Sequence, residues 1–245
     1  MFFKNYPQTL YNFGNETSAT AFQNISGYVD VIDQVKNNIN FYQYLTVQDG
    51  ERPDTLSQQI YGSVKYYWMF YLLNDDIREL GWPLTTQRVV LKAQNNYTKT
   101  VLTTRNINSL LTHFQEGDSI IGQTSGATGT VTKRDLNFGQ IFITKTNTLK
   151  FLNSELIRDN TDPEFPQSLA LVSVVEEYNA VHHYENSDGE YVDVDPYSAP
   201  SALLTPITYL DRLQQVNDQL KEIKIIKPSS VQEVYSAYQQ ALRTI

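Results

Sequence analysis

Gly50-Glu51-Arg52-Pro53-Asp54-Thr55-Leu56-Ser57-Gln58-Gln59-Ile60-Tyr61-Gly62 reads as a helix with its own start and stop signals. Pro53 brings a φ already suited to the first helical position, Asp54 offers an N-cap carboxylate, and Leu56 and Ile60 put an apolar stripe on one face. Gly62 can take the left-handed conformation that ends a helix. Ser63 then caps a second helix in which Val64, Tyr67, Trp68, Tyr71 and Leu72 share a face, with Asn74 expected as its left-handed terminus. Upstream, Phe41-Tyr42-Gln43-Tyr44-Leu45-Thr46-Val47 has the composition of a strand, and Asp49-Gly50 turns out of it. Strand, helix, short turn and helix together point to an α+β chain.

Working outward, residues 1–30 are rich in Asn, Thr, Tyr and Phe without a sustained period, which predicts an extended arm or irregular loop. Val31, Ile32, Val35 and Ile39 then recur at helical spacing, so that residues 1–40 form an arm with a short helix. Beyond Gly81-Trp82-Pro83 a helical stretch at about 85–97 completes a first module over 41–109. Of the 11 glycines, Gly117, Gly122, Gly126, Gly129 and Gly139 cluster among short alternating runs such as Gln140-Ile141-Phe142-Ile143-Thr144. That pattern predicts an inserted antiparallel β-barrel over 110–178, with Leu169 to Glu177 as its last strand. Phe114-Gln115-Glu116-Gly117-Asp118-Ser119-Ile120 is echoed by Phe151-Leu152-Asn153-Ser154-Glu155-Leu156-Ile157, which predicts two related hairpins.

Residues 179–204 read as a hairpin turning at Asp188-Gly189 and a linker holding Pro196 and Pro200. The C-terminal segment, 205–245, opens with Pro206 at a helix start, and Ile207, Leu210, Leu213, Val216, Leu220 and Ile223 follow as an amphipathic stripe. Ile223 to Lys227 forms a short strand, and a Ser230/Glu233 capping box opens a last helix lined by Val231, Val234, Tyr235 and Tyr238.

Composition excludes several function classes. A net charge of −8 without a Lys/Arg cluster repels phosphates and anionic lipid, so no nucleic-acid partner is expected. The absence of cysteine removes disulfides, thiolate metal sites and thiol nucleophiles. The longest apolar run, Tyr66 to Leu73, falls far below the roughly 20 residues that span a bilayer, so no membrane insertion is expected, and no export signal is read at Met1 to Pro7. With 17 Tyr and 11 Phe the chain is rich in rings that serve cores and protein interfaces alike.

The candidate chemistry reads as structural. His182 and His183 are adjacent, and strand alternation would send them to opposite faces, which disfavours a shared metal; His113 stands alone. Asp188, Glu190, Asp193 and Asp195 do not match a calcium loop. Gly122-Gln123-Thr124-Ser125-Gly126-Ala127-Thr128-Gly129 resembles a phosphate cradle but lacks the Lys-Ser/Thr ending and precedes a strand, so a hairpin turn explains it better. No Gly-x-Ser-x-Gly elbow or His-Glu-x-x-His helix is present. The chain is expected to be no enzyme, with no catalytic, metal or cofactor residues.

The run from Gly50 to Gly62 is similar to the first helix of LysM modules, and Asn74 falls where those modules carry an Asn. Extended through Tyr67-Trp68, Asn74-Asp75 and Gly81-Trp82, it resembles the LysM-like baseplate wedge subunit of T-even-type contractile-tailed phages, the gene product 53 family. Leu220-Lys221-Glu222-Ile223-Lys224-Ile225-Ile226-Lys227 resembles the C-terminal run of the same family, while the glycine-rich region looks like an insertion. The resemblance implies a LysM-like βααβ module with C-terminal amphipathic helices. It also implies a virion protein of the tail baseplate, assembled in the host cytoplasm and present in six copies. Its partners would be other wedge subunits, including the helical wedge scaffold and the sheath-like initiator protein. Arg52, Pro53, Tyr67, Trp68, Tyr71, Trp82, Ile223, Ile225 and Ile226 are the residues expected to define the module or its interfaces. The alternative is LysM-type binding of N-acetylglucosamine-containing glycans such as peptidoglycan, in a groove lined by Arg52-Pro53 and the loop after Asn74.

Overall fold

Along the chain, the computed structural model forms β1 (Gln8–Tyr11), β2 (Thr20–Gln23), β3 (Tyr42–Thr46), α1 (Pro53–Tyr61), a 3-10 turn (Val64–Tyr66), α2 (Trp68–Leu73), α3 (Asp75–Leu80) and α4 (Thr86–Asn96). It continues with β4 (Thr100–Thr103), α5 (Ile107–Thr112), β5 (Ser119–Gly122), β6 (Thr128–Asp135), β7 (Gln140–Lys145), β8 (Leu156–Asp159), β9 (Ser168–Ala170) and β10 (Ser173–Glu176). β11 (Val181–Glu185), β12 (Tyr191–Val192), β13 (Thr205–Thr208), α6 (Tyr209–Lys221), β14 (Glu222–Ile226) and α7 (Val231–Thr244) complete it. The structure describes residues 8–14, 18–23, 36, 38–161 and 167–244. The chain is α+β with antiparallel sheets, and it divides into one unit of Met1–Thr85 with Val216–Ile245 and another of Thr86–Gln215. No described helix is long and apolar enough to cross a membrane.

In the first unit the centre is a two-stranded sheet between β3 and β14, with Gln43 opposite Ile225 and Leu45 opposite Ile223. Ile223 and Ile225 face Val47, Leu56, Phe70, Ile77 and Leu220, whereas Ile226 joins Tyr66, Trp68, Met69, Leu73, Val231, Val234 and Tyr238. Ile223 and Ile225 alternate with the polar Glu222 and Lys224, and only Ile226 carries the second face into an apolar cluster. The stripe of α7 from Val231 to Tyr238 is covered by the chain's own α2.

Four expectations for this unit need correction. Arg52, not Asp54, is the N-cap of α1; Pro53 follows at the first helical position, and Thr55 Oγ1 donates to Arg52 O at 2.9 Å. The second helix is broken into a 3-10 turn and α2, and the faster rotation of the 3-10 turn shifts its phase. As a result Tyr66, Met69, Phe70 and Leu73 point inward, while Val64 (53% exposed) and Tyr67 (40%) lie outside; a run apolar on every side could not fix the phase. Asn74 is extended, at φ −125°, not left-handed. Within the arm read as irregular, β1 and β2 pair as a hairpin, with Thr9 opposite Phe22; the short helix expected near 31–39 falls almost wholly outside the described residues.

The second unit is built on a seven-stranded antiparallel sheet in the order β10-β4-β7-β6-β5-β8-β9. One face gathers Leu102, Ile120, Val131, Ile141, Ile143, Ile157 and Leu169 with Ile107, Leu110, Phe114 and Phe151; the other carries Val101 and Phe142 toward Ala180 and Tyr209. The expected barrel is not closed by strand pairing, and the single last strand expected from Leu169 to Glu177 is two. Leu171 donates to Glu155 O at 2.9 Å and Val172 to Thr103 O at 2.7 Å, so β9 stays on β8 while β10 crosses to β4.

The echoed heptads are two copies of one turn, and each leads into a strand that pairs antiparallel with the next, β5 with β6 and β8 with β9. In each, a buried phenylalanine is followed by a left-handed residue (Gly117, φ 96°; Ser154, φ 61°) and then by an acid. That acid accepts from the N–H three residues back: Asp118 from Gln115 at 2.5 Å, Glu155 from Leu152 at 2.6 Å. The strands they introduce, β5 and β8, pair with each other. Pro206 also departs from expectation, lying in β13 opposite Tyr184. Helix α6 instead starts from a reciprocal cap in which Thr208 N donates to Asp211 Oδ2 at 2.9 Å and Asp211 N to Thr208 Oγ1 at 3.1 Å.

Candidate functional site

The residues singled out in the first unit fall into an exposed corner and a buried seam. At the corner, the Arg52 guanidinium forks onto Asp54, Nε to Oδ1 and Nη2 to Oδ2 both at 3.1 Å. The hydrogen bond from Arg52 holds the Asp54 carboxyl below its usual range. Pro53 sits half-buried beside them. Asp75, at the start of α3, is likewise held low, by Lys36 at 2.7 Å, with Arg78 at 2.8 Å.

The aromatics divide by environment. Trp68 is buried, its ring 4.7 Å from Tyr238 and 6.3 Å from Tyr235, so it belongs to the core. Trp82 is half-buried against Phe70 and Tyr71, each at 5.9 Å, and its indole N–H donates to Glu51 O at 2.7 Å. Burial and the nearby Tyr67 raise the Tyr71 phenol. Tyr67 is exposed. Ile223, Ile225 and Ile226 are all buried in β14.

Asn74 does for β14 what another strand would do. Its amide donates to Lys224 O at 2.9 Å and to Phe70 O at 2.8 Å, and its Oδ1 accepts from Lys224 N at 2.7 Å. Both backbone groups of Lys224 that point away from β3 are thereby paired, and the end of α2 is tied to the same point. Tyr61 adds a bond from its phenol to Ile226 O at 2.9 Å, and burial raises that phenol far enough to keep it a donor. Asn217, a buried polar residue within the stripe of α6, repeats the device on Leu84: it accepts from Leu84 N at 2.7 Å and donates to Leu84 O at 3.0 Å. Nothing in the sequence marked Asn217 except that it interrupts an apolar stripe.

In the second unit, the cradle-like loop from Gly122 is already filled. Glu155 accepts from Thr124 N at 3.3 Å, Ser125 N at 3.0 Å and Ser125 Oγ at 3.0 Å, so the loop's N–H groups meet an internal carboxylate. Gly122 is required there, because a Cβ would stand 2.7 Å from that carboxylate. His113 caps the end of α5, and its carbonyl accepts from Arg134 at 3.3 Å.

The expectation that His182 and His183 face apart is overturned. Along β11, Val181 stands opposite Thr208 and His183 opposite Ile207, so His182 is an extra residue in a bulge. The bulge turns both rings to one side, Nδ1 to Nδ1 at 2.9 Å, with Arg212 Nη1 2.9 Å from His182 Nε2 and Glu185 Oε1 3.0 Å from His183 Nε2. Among the described residues no group of three His, Asp or Glu side chains is arranged to hold a metal ion. The acidic loop is organised by Asn186, whose Oδ1 accepts from Asp188 N and Glu190 N, both at 2.9 Å. No protein-family model matches this chain, and no curated protein matches it.

Proposed function

We propose that this chain is a structural, non-catalytic wedge subunit of a contractile phage tail baseplate, joining adjacent wedges through protein–protein contacts. The observation that supports this reading most is the pairing of β3 with β14 under the Asn74 clasp. The two stretches that resemble the wedge family, at 50–82 and 220–227, lie far apart in sequence yet contribute to one unit. Taken as β3, α1, α2 and β14, that unit follows the βααβ order of a LysM-like module whose second strand comes from the C-terminal segment. The insertion read at 110–178 lies wholly within the other unit, Thr86–Gln215.

A surface fit for protein contacts is also present. Leu10, Tyr11, Phe13 and Phe22 are exposed on the β1–β2 hairpin, with rings edge to face at 5.0 and 5.5 Å. A two-stranded hairpin is marginal alone and gains by docking. On this reading the chain resides in the virion baseplate in six copies, after assembly in the host cytoplasm, and contacts the helical wedge scaffold and the sheath-like initiator.

Glycan binding is the rival reading that the same module admits, at the corner of Arg52 and Asp54. Purified chain mixed with neighbouring wedge proteins is expected to form a stoichiometric complex by light scattering, weakened by Tyr11→Ser with Phe22→Ser. A saturable chitooligosaccharide titration, lost on Asp54→Ala and accompanied by no wedge complex, would reverse the assignment.

A further inference from the structure

The bulge at His182 creates a hydrogen-bonded chain that runs from a permanent cation to a carboxylate through two imidazoles. Arg212 Nη1 can only donate, so His182 Nε2, at 2.9 Å, must be bare. The proton of a neutral His182 then sits on Nδ1 and points at His183 Nδ1, 2.9 Å away, which must be bare in turn. That leaves the His183 proton on Nε2, donating to Glu185 Oε1 at 3.0 Å, where Gln215 Nε2 also donates at 3.3 Å. One set of tautomers satisfies every link, and it requires both rings neutral.

We propose that the Arg212–His182–His183–Glu185 chain is an acid-sensitive latch that holds β11 to the first turns of α6. A second proton on His182 can only go on Nε2, against the guanidinium. On His183 it can only go on Nδ1, setting two N–H groups face to face. Either event breaks a link of the chain.

The surroundings agree. From α6, Tyr209 lies edge-on to His182 at 4.9 Å, its phenol pushed up to about 12 by burial and so neutral, while Asp211 is engaged by Thr208. From β12, Tyr191 stacks on His183 at 5.3 Å, with Asp193 beside its phenol. From β6, Lys133 opposes a positive His182 and Asp135 favours one. Burial, then Arg212, then His183 and Lys133 outweigh Asp135 and hold the His182 imidazole below its ordinary value. The unfolded chain therefore takes up the proton first. The latch's contribution is complete above about pH 6.5 and is lost as pH falls below that.

Nitrogen-15 NMR of the histidine rings in the full chain tests this directly. At about pH 8, well above imidazole titration, His182 is expected to be protonated on Nδ1 and His183 on Nε2, and in acid His182 should titrate below the ordinary imidazole value. In Arg212→Met the His182 titration should move up toward that value. The opposite tautomer on either ring, titration of His182 at an ordinary value, or no shift in Arg212→Met overturns the proposal. Should that variant not fold, the two tautomers and the His182 titration of the wild-type chain decide alone.

Discussion

The two units reach stability by different routes. Thr86–Gln215 is contiguous, and three of the six pairings in its sheet join consecutive strands, β5 with β6, β6 with β7 and β8 with β9, around a largely aliphatic core. The other unit depends on partners far apart in the chain, as Lys224 is from Asn74, at a separation of 150 residues. Its core mixes aromatic with aliphatic side chains, and its seam is sealed by side-chain amides. Local hairpins close short loops and form early, whereas the β3–β14 seam must close a long one before any contact rewards it. A discontinuous unit therefore needs dense, directional contacts where its two segments meet.

Both tryptophans, Trp68 and Trp82, lie in the first unit, so fluorescence reports on that unit while circular dichroism reports on both. Phe70→Ala should have the largest effect, about 3–5 kcal/mol, by leaving a cavity between Tyr61 and Trp82. It should shift the fluorescence transition. Gly139→Ala should cost about 3 kcal/mol and shift the dichroism transition instead, because φ is +62° and a Cβ would lie 2.2 Å from Thr104 O. Equal shifts of both signals in either variant would break the comparison.

The seam is tested next. Asn74→Asp keeps the shape but turns a donor into an acceptor facing two carbonyl oxygens, and should cost about 2 kcal/mol on the fluorescence transition. Glu155→Gln places an NH2 group among donors at Ser125 and Leu152 and should cost about 1–2 kcal/mol, seen by dichroism. Acid should have the smallest effect. His182 is held below its ordinary value, so the second unit's transition falls as pH drops below about 6.5 while fluorescence changes less.

Much of this fold can be read from residues alone where the signals are local. Gly62 ends α1 in the left-handed region, and β3, β14 and the Asp188-Gly189 turn stand where composition puts them. What could not be read is non-local or hidden in a short irregularity. The phase of Tyr66 to Leu73 depends on a 3-10 turn that no apolar pattern specifies, and one inserted residue at His182 reverses the rule of alternation. The broken last strand turns on two N–H groups choosing opposite neighbours. Thr208-x-x-Asp211 was legible as a capping box, but Pro206 gave the stronger apparent start. Of the candidate site, Asn74 was visible as a residue; its work, closing β14 from the side, depends on a strand 150 positions away.

A cryo-electron microscopy reconstruction of the intact tail carrying this chain tests the central claim most directly. The expected result is a copy in each of six wedges, with Tyr42–Thr46 paired to Glu222–Ile226 within the same copy and the Leu10 to Phe22 hairpin buried on a neighbouring subunit. A baseplate without density for the chain, or copies in which that hairpin faces solvent and no wedge is touched, would contradict it.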